Sequence, residues 1–288
     1  MGWRTLFSRY PEILQSYTDC RICIYDASPC YLIPRMEKSS NFEWEDHGSY
    51  ITHGGKGSAP IVTPVTLSSP KQYMEAVLDT IHRYGGAYSL PTSYAKPLGK
   101  MGYKLIKRPW GNLDFIFETE VLANLSGKRH ERKRTHLNKL VKQGYVCRPM
   151  TKEDSMLVYK IETEWESVHT GTRTGKHGYA TALAKGLGDY PPAMRLSGIV
   201  CHAPDGQPVG VSLSSQVTAD TWTCSFRYAD NVHAGVSLLM FREMARMYSD
   251  LKYEADGSGG GYGSSLFEFK RRLVSNPDFL LEMFVVMK

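Results

Sequence analysis

Met74, Val77, Leu78 and Ile81 recur at intervals of three and one to four residues, the spacing that gathers one face of a helix. Ser69 stands where a cap is needed, Pro70 at the first helical position, and Gly85-Gly86 close the run. Upstream the pattern is shorter and broken by glycine and proline. CRICIY (20–25), CYLIP (30–34), GSYITHG (48–54) and APIVTPVTL (59–67) therefore predict strands. Residues 96–120 predict a loop followed by a strand that ends in Leu113–Phe117. Together these elements make one α/β lobe over residues 1–124.

A second series follows. Residues 151–169 have helical spacing, and residues 191–230 predict three antiparallel strands turning at Pro204-Asp205-Gly206 and near Ala219-Asp220. Residues 233–251 form an amphipathic helix, 252–256 a strand, 264–274 a short helix and 278–287 a closing strand. Helix, three-strand meander, helix, strand, helix, strand resembles the acetyltransferase plan. The expected fold class is α/β (α+β), with two tandem GNAT-like (acyl-CoA N-acyltransferase-like) lobes and mixed sheets flanked by helices. The second lobe is placed at 125–288 and opens with a basic helix at 127–143. No repeat shows at the level of letters, so the doubling rests on element order alone.

Charge changes this picture at one place. The chain has 35 Lys and Arg against 29 Asp and Glu, a formal net charge of +6. Residues 128–142 (KRHERKRTHLNKLVK) hold seven of the basic residues and one Glu, leaving 28 against 28 elsewhere. The excess is a patch, not a property of the whole surface. Ser126 is the expected cap, Leu137, Leu140 and Val141 the apolar stripe, and Gly144 the stop. That stripe leaves Arg129, Arg132, Lys133 and Lys139 to face outward together. Cations one helical turn (~5.4 Å) apart suit the phosphates of a nucleic-acid strand or a polyphosphate. A solvated helix face is the plainer alternative.

Residues 257–263 (GSGGGYG) carry five glycines and run into a helix with Phe269 and Lys270. Backbone amides at such a junction favour developing negative charge. Lys270 lies seven residues past Gly263, so the loop is not a P-loop. A flexible connector, with Lys270-Arg271-Arg272 as a surface cluster, reads equally well. A coenzyme-A enzyme is expected to carry an Arg/Gln-x-x-Gly-x-Gly/Ala turn before its central helix. Asp230–Val236 has one glycine and no such Arg or Gln. No GxSxG or HExxH appears, and His169, His177 and His233 read as polar loop residues.

Cys20 and Cys23 form a CxxC with Cys30 nearby, and His47 or His53 would have to complete a zinc site. Without a second pair, thiols packed as small apolar groups are favoured, and no metal is expected. No apolar run approaches the ~18 residues that cross a bilayer. Arg4 and Arg9 interrupt the N-terminus, which excludes a secretory signal. The expectation is a cytoplasmic protein without a membrane partner.

The basic block, with Leu125, Gly127, Lys128, Lys133-Arg134, His136 and Asn138, resembles a bacterial family related to the C-terminal domain of phosphatidylglycerol lysyltransferases. Leu140 stands where Phe is usual. The tail is similar in plan, with Asp256, glycines, Leu266, Lys270, Pro277 and Phe279-Leu280-Leu281-Glu282. Phe269-Lys270 also resembles the Phe-Lys pair of Fem-type aminoacyltransferases. The resemblance implies an aminoacyl-tRNA donor used as co-substrate, with no other cofactor, and an amide formed on a small-molecule or peptide acceptor. The absence of preceding membrane segments suggests a soluble acceptor, as in natural-product or peptide biosynthesis.

On that reading Lys270, with Phe269 and Asp256, carries the catalysis. Lys128, Arg129, Arg132, Lys133, Arg134, His136, Lys139 and Lys142 bind the tRNA. Lys270 would stabilise the oxyanion, and Asp256 or Glu254 would orient or deprotonate the acceptor, unless either merely ends a strand. Two alternatives stay open: an acyl-CoA N-acyltransferase with a divergent turn, and a catalytically inactive tRNA-binding module.

Overall fold

The computed structural model describes residues 25–64, 67, 69–108, 113–169, 178–258 and 264–288. The first series runs α1 (Pro29–Lys38), β1 (Phe42–Asp46), β2 (Tyr50–Gly55), β3 (Ile61–Pro64), α2 (Pro70–Tyr84), β4 (Gly86–Pro91), α3 (Thr92–Lys100) and β5 (Lys104–Lys107). The helix expected from Ser69 onward forms as read: Ser69 Oγ accepts from Gln72 N, and Gly85 closes it at φ +80°. Two expectations are corrected. CYLIP lies in helix α1, because Ser28 caps it and Pro29 fills its first turn. Five apolar residues do not by themselves distinguish strand from helix, and here the cap decides. The expected loop after Lys96 begins inside α3, whose helical pattern Pro97 and Gly99 obscure. Residues 20–24 of the first expected strand lie outside the described residues.

The first series closes with β6 (Leu113–Glu118) and α4 (Thr119–Asn124), and the second runs α5 (Glu131–Lys142), β7 (Val146–Pro149), α6 (Ser155–Val168), α7 (Tyr179–Lys185), β8 (Ser197–His202), β9 (Pro208–Gln216), β10 (Thr221–Ala229), α8 (Val236–Met247), β11 (Tyr253–Ser258), α9 (Ser265–Arg271) and β12 (Leu280–Met287). Helix, three-strand meander, helix, strand, helix, strand thus occurs twice among the described residues. The fold is mixed α/β and GNAT-like, with sheets flanked by helices.

Strands β1, β2 and β3 form a small antiparallel sheet. The large sheet runs β4-β12-β6-β11-β10-β9-β8-β7, with β5 also paired to β12. The last strand, β12, therefore joins β4 and β5 of the first series, while β6 pairs with β11 of the second. The C-terminal strand and the middle of the chain are joined by backbone ladders that local sequence does not specify.

One face of the large sheet buries Phe115, Phe117 and Trp222 beneath α4, α5 and α8, with Phe241 and Tyr248 packed on them. Trp222 stacks on Tyr248 with ring centroids 4.9 Å apart, and its indole N–H donates to Thr119 Oγ1. The other face buries Val211 and Leu213 against α1, α6 and α7.

Candidate active site

Strands β10 and β11 pair in parallel only at Thr221–Tyr253 and Trp222–Glu254. Beyond that point the ladder ends and side chains take over. Cys224 N–H, which would otherwise seek a carbonyl, donates to Glu254 Oε1 at 3.1 Å. Thr223 Oγ1 donates to Ala255 O at 2.5 Å. Alternation along β11 puts Glu254 and Asp256 on the same face, and both are buried.

Helix α9 supplies the counter-charge. Ser264 caps it through Phe267 N, and Phe267 and Lys270 point inward. Lys270 is 4% exposed, so it is not part of a surface cluster. Its ammonium donates to Asp256 O and lies 3.2 Å from Asp256 Oδ2. Arg227 of β10 approaches the same Oδ2 at 3.7 Å. These are ion pairs rather than aligned hydrogen bonds at Oδ2. Arg227 also lies over the Phe241 ring, 4.1 Å from its centroid, and 6.0 Å from that of Phe269. The wedge thus holds two carboxyl groups and two cations. Burial, and then the neighbouring Asp256 charge, push Glu254 well above the usual carboxylate range. The pull of Lys270 and Arg227 is in the opposite direction. Burial likewise pushes the Cys224 thiol up. Glu254 Oε2 has no hydrogen-bond partner among the described residues. Residues 259–263 of the glycine-rich loop lie outside the described residues, while Gly257 has φ +54°.

The basic segment differs from its expected layout. Ser126 caps nothing: a 3-10 turn, Lys128–His130, intervenes, and α5 starts at Glu131. Leu137 and Leu140 are buried, but Val141 is 48% exposed, so the stripe is two residues wide. The cations fall into two rows. In the inner row, Arg129 donates to Val274 O at 2.6 Å and Arg271 O at 3.1 Å, and Lys133 to Arg272 O at 3.1 Å. Arg134 donates to Leu125 O and Gly127 O, holding the left-handed turn before α5. Lys128, Arg132, Lys139 and Lys142 form an exposed outer row. Burial first, and then Arg129 and Arg272, lower the Lys133 pKa. His130, buried beneath this row, is lowered by burial and by Lys133, Arg129 and Arg134.

The turn before α8 is covered by α5. His136 Nε2 lies 3.2 Å from Ala234 O, and a Cβ on Gly235 (φ +92°) would stand 2.3 Å from the same nitrogen and 3.0 Å from Leu140 Cδ1. Tyr145 pairs its hydroxyl with His233 Nδ1 at 2.8 Å. His169 stacks on Trp165 at 4.1 Å. His177, Cys20 and Cys23 lie outside the described residues. Cys30, Cys201 and Cys224 are buried free thiols. Among the described residues no group of three or more His, Cys, Asp or Glu could hold a metal.

The structure therefore brings Lys270, Phe269 and Asp256 together. It separates the eight basic-segment residues into those bound to backbone carbonyls and those facing solvent. Arg227 and Cys224 were missed from sequence. Alternation places Arg227 with Thr221, Thr223 and Ser225, the polar positions of the strand, and the β-bulge between Cys224 and Phe226 that changes this register has no signal in the letters.

The profile of the family described as phosphatidylglycerol lysyltransferase, C-terminal, matches residues 37–255. No match is found among curated proteins. A conserved protein of unknown function from Bacteroides thetaiotaomicron has a similar structure, with TM-score 0.76 and 17% identity over 98% of this chain and 96% of that one. L-PGS from Bacillus licheniformis gives 0.61 and 12%, covering 86% of this chain and 83% of that one. FemX gives 0.58 and 10%, covering 98% and 95%. No helix among the described residues is long and apolar enough to cross a membrane. With a profile match over more than half its length and an acyltransferase fold, the chain belongs to the phosphatidylglycerol lysyltransferase C-terminal family.

Proposed function

We propose that this protein is an aminoacyl-tRNA-dependent aminoacyltransferase that forms an amide on a small soluble acceptor. The observation that carries the reading is the Lys270 ammonium, buried beside Asp256 where β10 and β11 part, on a helix that touches the basic segment. The acceptor amine attacks the ester carbonyl carbon, and the carbonyl oxygen becomes an oxyanion. Lys270 stabilises that charge from a buried, pre-set position, where a fixed cation acts most strongly. Collapse breaks the bond to the ribose oxygen, which leaves with the proton released by the amine. Asp256 holds the ammonium and is assigned to orient the amine. Glu254, driven toward its neutral form, adds no second negative charge.

The tRNA is assigned to the outer row of Lys128, Arg132, Lys139 and Lys142. Two observations favour this donor over acyl-CoA. The turn before α8, where a pyrophosphate would need backbone amides, lies under His136 and Leu140. The cationic row beside it offers repeated phosphate contacts instead. Incubation with a mixed pool of charged tRNAs and candidate amines, alongside acyl-CoA thioesters, tests the assignment. Transfer from tRNA alone is expected. Transfer from the thioester alone would replace this reading with the acyl-CoA one.

A further inference from the structure

The inner row of cations does a different job from the outer row. Helix α9 has seven residues, too few for stability in isolation. Its last carbonyls lack intrahelical partners, as at every helix C-terminus. Backbone amides of Leu273 and Val274 return to Lys270 O, leaving the carbonyls of Arg271, Arg272 and Val274 to be satisfied. Arg129 forks across two of these and Lys133 takes the third. The cations sit at the negative end of the helix dipole, so each bond is charge-assisted. The donors are more than 130 residues away in sequence. Elsewhere on its surface, α5 seats His136 and Leu140 against the turn before α8.

We infer that Arg129 and Lys133 are positioning residues: they clamp the C-terminal end of α9 and so fix the Lys270 ammonium against Asp256. This rests on the proposed role of Lys270 and divides the labour of the basic segment. The outer row docks phosphates, and the inner row sets catalytic geometry. A displacement near 1 Å at a reacting centre costs up to ~10²-fold in rate.

The test compares Arg129→Met, Lys133→Met and Arg129→Lys with an outer-row variant, Lys128→Gln/Arg132→Gln/Lys139→Gln. Single-turnover rate at saturating charged tRNA, tRNA affinity, and hydrogen exchange of residues 265–274 are measured on each. Arg129→Met is expected to lower the rate about 10- to 100-fold, with affinity changed less than about threefold and faster exchange in 265–274. Arg129→Lys should recover part of both, because one ammonium cannot span both carbonyls. The outer-row variant should lose affinity and keep wild-type exchange in 265–274. Lost affinity with unchanged rate and exchange in the Arg129 and Lys133 variants would make them docking residues and overturn the clamp. If wild-type protein transfers nothing from charged tRNA, the donor assignment fails by itself. Exchange, and the reactivity of Lys270 toward an amine-acylating reagent, then still decide the clamp. Wild-type values of both in Arg129→Met would refute it.

Discussion

Replacing Lys270 with Met separates the structural from the catalytic part of its role. The substitution keeps length and apolar volume but removes the charge 3.2 Å from Asp256 Oδ2. Breaking a buried pair from one side typically costs about 3–5 kcal/mol. Arg227, 3.7 Å from the same oxygen, remains to offset part of that loss. Urea melts measure it. Lys270→Met/Asp256→Asn should regain most of the stability and none of the turnover. Turnover itself should fall about 10²–10³-fold, with tRNA affinity little changed. Arg271→Met, which removes an exposed cation paired with Glu268, serves as the control. A Lys270→Met protein that melts and turns over like wild type would refute the argument, and a double variant no more stable than the single one would refute the ion-pair part.

Other outcomes follow from the same geometry. Replacing Lys128, Arg132 and Lys139 together with Gln should weaken tRNA binding and flatten its log–log salt dependence by about 0.7–0.9 for each phosphate no longer neutralised; an unchanged slope speaks against phosphate docking. Calorimetric titration with acetyl-CoA should reveal no micromolar site, because His136 and Leu140 cover the turn before α8; saturable binding would reverse that assignment. Glu254→Gln reproduces the neutral form that burial favours and should preserve both melting temperature and turnover, whereas a large loss of turnover would identify Glu254 as the proton acceptor. His53 is buried against Tyr31 and Phe42 and its pKa is pushed down to about 3, chiefly by burial and then by Arg35. Its folded-state pKa is depressed, so it costs nothing above pH 6.5 and removes about 2 kcal/mol of stability by pH 5. His53→Leu should flatten the melting profile between pH 7 and 5, and an unaltered acid limb would assign the loss to other groups.

What the chain specifies locally is legible in its letters. Ser69, Pro70 and Gly85 bound α2 because caps and stops act within a few residues. The three-strand meander of residues 197–229 follows from alternation and from the turn at Gly206, which has φ +83°. The concentration of charge in residues 128–142, and the pairing of Phe269 with Lys270, are likewise properties of sequence. What those charges do is not. Arg129 and Lys133 look like solvent-facing cations until α9 is folded beside them, since their partners are backbone carbonyls that every residue type presents. Lys270 passes for a member of a surface triplet until helix phase turns it inward and Asp256 compensates its charge. Arg227 is assigned by the parting of β10 and β11, a feature of backbone pairing between strands that α8 separates in the chain. The exchange of β6 and β12 is equally silent in the letters, because ladder hydrogen bonds carry no side-chain identity. Tertiary structure therefore decides which cations become part of the site: burial makes an unpaired charge costly, and only the folded chain shows where each partner lies.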